Sequence, residues 1–201
     1  YIKRSGSTVI GGTPATGGGD NAIERFRAAS GYYSGNRPHA VGPSPFTVVV
    51  AKMYAVPIYF PDARTILELH FEVQTAVASS NARIGLYTNS DASPSALLRD
   101  SGNISTATTG RKIANIADYS VSANTLLWLV LECSHTITVY GQLGLGIPML
   151  RGFHASTAGM PFYTTRQRIL GAYGALPDPF GAALSELQSG VANNPVLLAR
   201  T

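Results

Sequence analysis

The 201-residue chain has little charge, almost no cysteine and no long apolar run. Only 13% of its residues are charged, against about 25% in an average soluble domain. Solvated helical bundles carry dense Glu and Lys, so this scarcity argues against one. A hydrophobic content of 45% argues equally against disorder. The single cysteine, Cys133, rules out a disulfide within the chain and every multi-cysteine metal motif. The longest uninterrupted apolar run, Leu126 to Leu131, is far shorter than the ~20 residues that span a bilayer. No basic segment leads into an apolar stretch, so no secretory signal and no membrane insertion are expected within these residues. The chain opens at Tyr1, which points to a fragment or a processed product.

Charge of one sign is also scarce. The net charge of +4 reflects few carboxylates rather than a basic patch. Basic residues cluster no further than Lys3-Arg4 and Arg111-Lys112, whereas a nucleic-acid binder usually gathers them on one face. No nucleic-acid partner is expected. Twelve of the 15 basic residues are Arg. This bias suits interfaces and contacts with anionic groups, because the guanidinium forks onto carboxylates and is weakly hydrated.

What the chain does have is punctuation. Its 21 Gly and 12 Pro are spread along the sequence, as many short strands joined by turns require. Residues 1–30 read as a connector. Ser7 to Ile10 suits a short strand, Gly11 to Gly19 is a linker by composition, and Asn21 to Ala29 suits a short helix capped by Asn21, with an extended run through Phe26 to Tyr33 as the alternative. The Gly cluster lacks the Gly-Lys-Ser/Thr ending of a phosphate loop.

Residues 31–201 read as a β-domain. Phe46 to Phe60 is rich in β-branched and aromatic residues, and Pro57 within it belongs at a bulge or an edge. In Thr65 to Thr75, Leu67, Leu69, Phe71 and Val73 alternate with Glu68, His70, Glu72 and Gln74, the pattern of a half-buried antiparallel strand. Further strands are expected at Arg83 to Tyr87, Leu97 to Ile104, Arg111 to Ile116, Tyr119 to Val121, Leu126 to Cys133, Ile137 to Tyr140, Ile169 to Leu176 and Val196 to Arg200. Asp178 to Leu187 suits one short helix near the C-terminus, with Phe180, Ala183, Leu184 and Leu187 as its stripe. The fold class is therefore all-β: an antiparallel β-sandwich, jelly-roll-like. Two strands apolar on both faces suggest that a second subunit covers one of them.

Chemistry-bearing constellations are few. Glu68, His70 and Glu72 share one strand face, with alternate Cα atoms ~7 Å apart. That fits a solvated or inter-subunit face; pH-sensitive packing by His70 and a metal site are the alternatives. Glu132, inside an apolar strand, suits an ion pair with an Arg or an exposed strand end, and Cys133 a small core residue. No Gly-x-Ser-x-Gly elbow occurs. No catalytic residue, metal or cofactor is assigned. Arg151 to Arg168 reads as a long irregular loop, and such loops are usually functional or disordered. It carries Arg151, Phe153, His154, Phe162, Tyr163, Arg166 and Arg168. Aromatic faces stack on sugars and Arg pairs with uronate or phosphate groups, so this is the first ligand-binding candidate. Tyr32, Tyr33, Asn36 and Arg37 form the second.

The order of motifs then suggests a family. It runs Tyr54-Ala55-Val56-Pro57, Asp62-Ala63-Arg64-Thr65-Ile66, Ala82-Arg83-Ile84-Gly85-Leu86-Tyr87-Thr88, Ser93-Pro94-Ser95-Ala96-Leu97-Leu98-Arg99-Asp100-Ser101-Gly102 and Thr109-Gly110-Arg111-Lys112. Leu126 to Val130, Gly174-Ala175-Leu176-Pro177 and Pro195 to Leu198 continue it. From about Tyr32 to Thr201 this resembles the jelly-roll domains of tailed-phage fibres, spikes and minor structural proteins. Thr125-Leu126-Leu127-Trp128 stands where that family usually carries Gly-x-Tyr-Trp. The resemblance implies a homotrimeric virion appendage, assembled in the bacterial cytoplasm, in contact with other virion structural proteins. By extension it implies a receptor-binding module for a host surface polysaccharide. A spike-borne polysaccharide hydrolase or esterase, and a ligand-free connector or head-decoration protein, are the alternatives.

Overall fold

The computed structural model describes residues 32–34, 44–91, 93–143, 166–170, 172–181, 184–186 and 193–201. The strand, linker and helix expected within residues 1–30 lie outside the described residues.

Two antiparallel sheets form a β-sandwich. The first holds β1 (Tyr32–Ser34), β2 (Ser44–Val48), β4 (Arg64–Thr75), β8 (Gly110–Val121), β10 (Ile137–Leu143), β13 (Asn193–Pro195) and β14 (Leu198–Arg200). The second holds β3 (Lys52–Phe60), β5 (Asn81–Ser90), β6 (Ser93–Asp100), β7 (Ile104–Ser105), β9 (Thr125–Cys133), β11 (Arg166–Ile169) and β12 (Leu184–Glu186). From β2 to β5 and again from β7 to β11 the chain changes sheet at every step. Such alternation needs turns at short intervals, which the spread of Gly and Pro supplies.

The expected strand from Phe46 to Phe60 is thus two strands in different sheets. The break falls at Ala51, which turns the chain with a φ of 59°. Pro57 is placed where its missing N–H matters least. β11 pairs only with Lys52 to Ala55, so at Pro57 the only described neighbour of β3 is β9. The β4 alternation is interrupted by a register shift between Ile66 and Glu68. Ile66, Leu69, Phe71 and Val73 therefore face the core, and Leu67 is only half-buried.

Period-2 alternation sorts the buried residues of the second sheet. Val56, Ile58 and Phe60 of β3, Ile84 and Leu86 of β5, and Leu127, Leu129 and Leu131 of β9 face the first sheet and fill the interior. The opposite face of the same strands carries Met53, Ala55, Tyr87, Trp128 and Val130, also fully buried. Their cover comes from the same chain. Residues 172–181 cross this face and seat Leu176 and Phe180 on it, with Leu97 and Leu170 at the margin. This strap accounts for the doubly apolar strands without a second subunit. Gly85 makes room for it, since a Cβ there would stand 2.3 Å from Leu176 Cδ1.

The strap also corrects two expectations. The strand expected over Ile169 to Leu176 ends at Ile169. The helix expected from Asp178 is absent from the described residues. Asp178 Oδ1 accepts the Leu97 N–H, the Phe180 N–H donates to the Ser95 carbonyl, and Leu184–Glu186 pairs with Arg166–Arg168. These bonds tie the described part of the segment to neighbouring strands instead of to a helical ladder. On the same edge strand, Arg99 of β6 donates to the Ala117 and Asp118 carbonyls of β8 and lies 5.2 Å from the Tyr119 ring centroid, tying the two sheets.

Candidate functional site

Two clusters of titratable groups stand on the outer faces of the sandwich, one on each sheet. The first arises where the first sheet forks. β4 pairs with β14 along Glu68 to His70 and with β10 at Val73 and Thr75. Between these contacts the C-terminal segment passes from β10 to β4, and the Val196 N–H donates to the Tyr140 carbonyl. A cleft of about 330 Å³ remains at the fork, lined by His70, Phe71, Glu72, Arg111, Tyr140, Val196 and Leu198.

His70 lies on the polar face of β4 and is nonetheless fully buried. Both its ring nitrogens are engaged. Arg111 Nε donates to Nδ1 at 3.1 Å, so the ring proton sits on Nε2 and is donated to Glu68 Oε2 at 2.9 Å. Arg200 donates to the other oxygen of Glu68. The Arg200 bond, more than His70, holds the Glu68 carboxyl below its ordinary range. Burial pushes His70 below its ordinary 6.5, with the Arg111 charge acting in the same direction and Glu68 opposing both. With Nδ1 committed as an acceptor, this is a packed, neutral histidine, the second of the readings given to the Glu68–His70–Glu72 face. Among the described residues no group of three potential metal ligands assembles.

A pH dependence follows. Unfolding frees His70 to titrate at 6.5, while the folded ring resists protonation. The unfolded chain therefore binds more protons below that pH, and stability drains away as pH falls through 6.5 toward the folded value. Chemical denaturation of the wild type and of His70→Gln at pH 7.5 and 5.5 checks this. The wild type loses more stability on acidification than the variant does; parallel losses would remove His70 from the account.

The second cluster lies on the strap-covered face. Arg83 of β5 stands opposite Glu132 of β9 in the ladder, in line with Trp128 and Val130. Arg83 bonds elsewhere, donating to Asp100 Oδ2 at 2.7 Å and to Asn103 Oδ1 at 3.1 Å. The strap joins the same groups. The Tyr173 hydroxyl donates to Asn103 Oδ1 at 2.8 Å and the Leu176 N–H to Asp100 Oδ2 at 3.3 Å. Glu132 is 1% exposed, and neither of its carboxylate oxygens has a hydrogen-bond partner. The Gly174 backbone and the Arg83 charge both favour its ionised form, but the Gly174 contact falls short of a hydrogen bond. Desolvation outweighs them and pushes the carboxyl from 4.5 to about 7. Burial likewise pushes the Tyr173 phenol up to about 12 and raises the Tyr87 phenol and the Cys133 thiol. The expectation of an exposed strand end or a direct ion pair for Glu132 is corrected: the strap roofs it, and Asp100 holds the nearest Arg.

Of the ligand-binding residues expected from sequence, the structure describes Tyr32, Tyr33, Arg166 and Arg168. Tyr32 and Tyr33 lie on β1, paired with Arg200 and Ala199. Arg166 and Arg168 lie in strand β11 rather than in a loop, and the Arg168 guanidinium donates to the Phe180 carbonyl of the strap. Arg37, Arg151, Phe153, His154, Phe162 and Tyr163 lie outside the described residues. Arg111, Arg200, Asp100 and Tyr173 escaped sequence reasoning because their partners are far away in the chain and only strand register brings them together. No protein-family model matches the chain, and no curated protein matches it either.

Proposed function

We propose that the chain is a structural and adhesion module of a phage-like virion appendage, binding a host surface glycan through loop residues. One observation carries the reading beside the family resemblance: the space between the sheets is filled by one continuous apolar cluster. Among the described residues the interior is taken up by apolar side chains, which favours contacts at the ends and loops. Glu132 has the raised pKa of a general acid, yet the closed strap covers it, which favours adhesion over hydrolysis. The proposal includes a homotrimer, association with other virion proteins, and a place on the virion after assembly in the bacterial cytoplasm. Weak glycan affinity per subunit would become tight adhesion when several subunits bind together.

The test uses Arg151→Ala combined with Tyr163→Ala. Loss of a charge-assisted contact and of a stacking ring costs about 1–3 kcal/mol each, together about a 30-fold to 10⁴-fold fall in affinity for host cells. The melting temperature should hardly change. Normal retention would remove this segment from the site and leave Tyr32, Tyr33 and Arg37. Shortening of a capsular or lipopolysaccharide glycan on incubation with the domain would replace adhesion by hydrolysis.

A further inference from the structure

We propose that residues 172–181 form a proton-operated strap: neutral Glu132 lets it lie closed on the outer face of the second sheet, and ionised Glu132 drives it open. The geometry supplies both halves of such a device. The buried half is a carboxyl that is 1% exposed and has neither oxygen bonded. Ionised and unbonded in that position, it is among the most penalised groups a fold can hold. The movable half is a short segment without regular secondary structure. Among the described residues it is anchored by Leu176 and Phe180 and by hydrogen bonds to Tyr87, Ser95, Leu97, Asp100, Asn103 and Arg168, with no ladder of its own. Lifting it uncovers Glu132 to water while leaving the β3–β9–β5 ladders intact. A segment outside the strand ladders opens at lower free energy than the core strands it covers.

The groups facing Glu132 set the direction. Arg83 and Tyr87 come from β5, Asp100 from β6, Tyr173 from the strap, and Cys133 from its own strand. Only Arg83 favours the anion by its charge, and its guanidinium is held by Asp100 and Asn103. Asp100 itself opposes a second negative charge. The closed state therefore retains the Glu132 proton up to about pH 7, whereas an open, hydrated carboxyl releases it near 4.5. Between those values the open state binds fewer protons. Opening grows with rising pH, about tenfold per unit, and levels off above 7.

Amide hydrogen exchange on the 201-residue chain between pH 5 and 8 tests this. The reporters are the amides of Leu97, Leu176 and Phe180, whose hydrogen bonds the strap makes or accepts. After correction for intrinsic exchange, their protection should fall about tenfold per unit from pH 5 to 7 and then level off. The Leu86 and Leu129 amides of the central strands should hold theirs. In Glu132→Gln the strap protection should stay flat and near its acid value. Three results would overturn the proposal: flat strap protection in the wild type, the same fall in Glu132→Gln, or a parallel fall in the core amides. The first and last need only the wild type, so a variant that folds poorly does not shelter the idea.

Discussion

Replacing Trp128 by alanine is expected to destabilise the domain by about 3–5 kcal/mol, lowering the melting temperature on the order of 10 °C for a chain of this size. Trp128 is the sole tryptophan and is fully buried. In the ladder it lies between Pro57 and Tyr87, and it packs in the cluster that Leu176 and Phe180 cover. Its loss would leave a cavity between sheet and strap that the rigid β3–β9–β5 frame cannot collapse to fill. Trp128→Phe separates volume from polarity. It keeps most of the ring and gives up the Nε1–H bond to Asn89, 3.0 Å long. Asn89 is exposed, so water takes over that bond and the cost falls to about 1 kcal/mol. Urea unfolding of both variants reads the difference. An alanine cost under 1 kcal/mol would mean that the strap does not seal this face.

The second large effect has the opposite sign. Glu132→Gln is expected to stabilise the protein at pH 8, by at most about 3 kcal/mol, since one pKa unit corresponds to about 1.4 kcal/mol. The Glu132 carboxyl titrates at about 7 when folded and 4.5 ordinarily. Below 4.5 both states are protonated and the wild type bears no penalty. As pH rises toward 7 the unfolded chain releases its proton first, and stability is lost until the folded carboxyl ionises too. The advantage of glutamine should thus be absent at pH 4, grow through pH 5 and 6, and level off above 7. Denaturation midpoints across that range check it. A constant offset at every pH would point to packing and not to the proton.

His70 and Glu132 act against each other over part of this range. Acidification below 6.5 costs stability through His70 and restores it through Glu132. The wild-type profile can look flat while two opposed titrations run beneath it, on opposite outer faces of the sandwich. Single variants are needed to expose either.

The sequence alone determined the β-sandwich class and most strand positions, because β-branched runs, period-2 alternation and Gly or Pro turns are local signals. Arg83 to Tyr87 and Leu126 to Cys133 lie within β5 and β9, which run Asn81–Ser90 and Thr125–Cys133. The same signals identified His70 and Glu132 as the unusual residues. Tertiary structure decided what those residues do. Alternation assigned His70 to a polar face, but whether that face is wet depends on Arg111 and Leu198 arriving across two ladders. An apolar pattern on both faces of β9 shows that something covers the outer face. Only the path of residues 172–181 reveals that the cover is the chain's own and that it closes over Glu132. Where Asp178 led the sequence to a helix, backbone groups found partners on β6 instead, because a nearby strand edge satisfies them as well as a helical turn and buries Phe180 besides. Local patterns record what each residue prefers; burial and charge pairing are set by neighbours that register brings from tens of positions away.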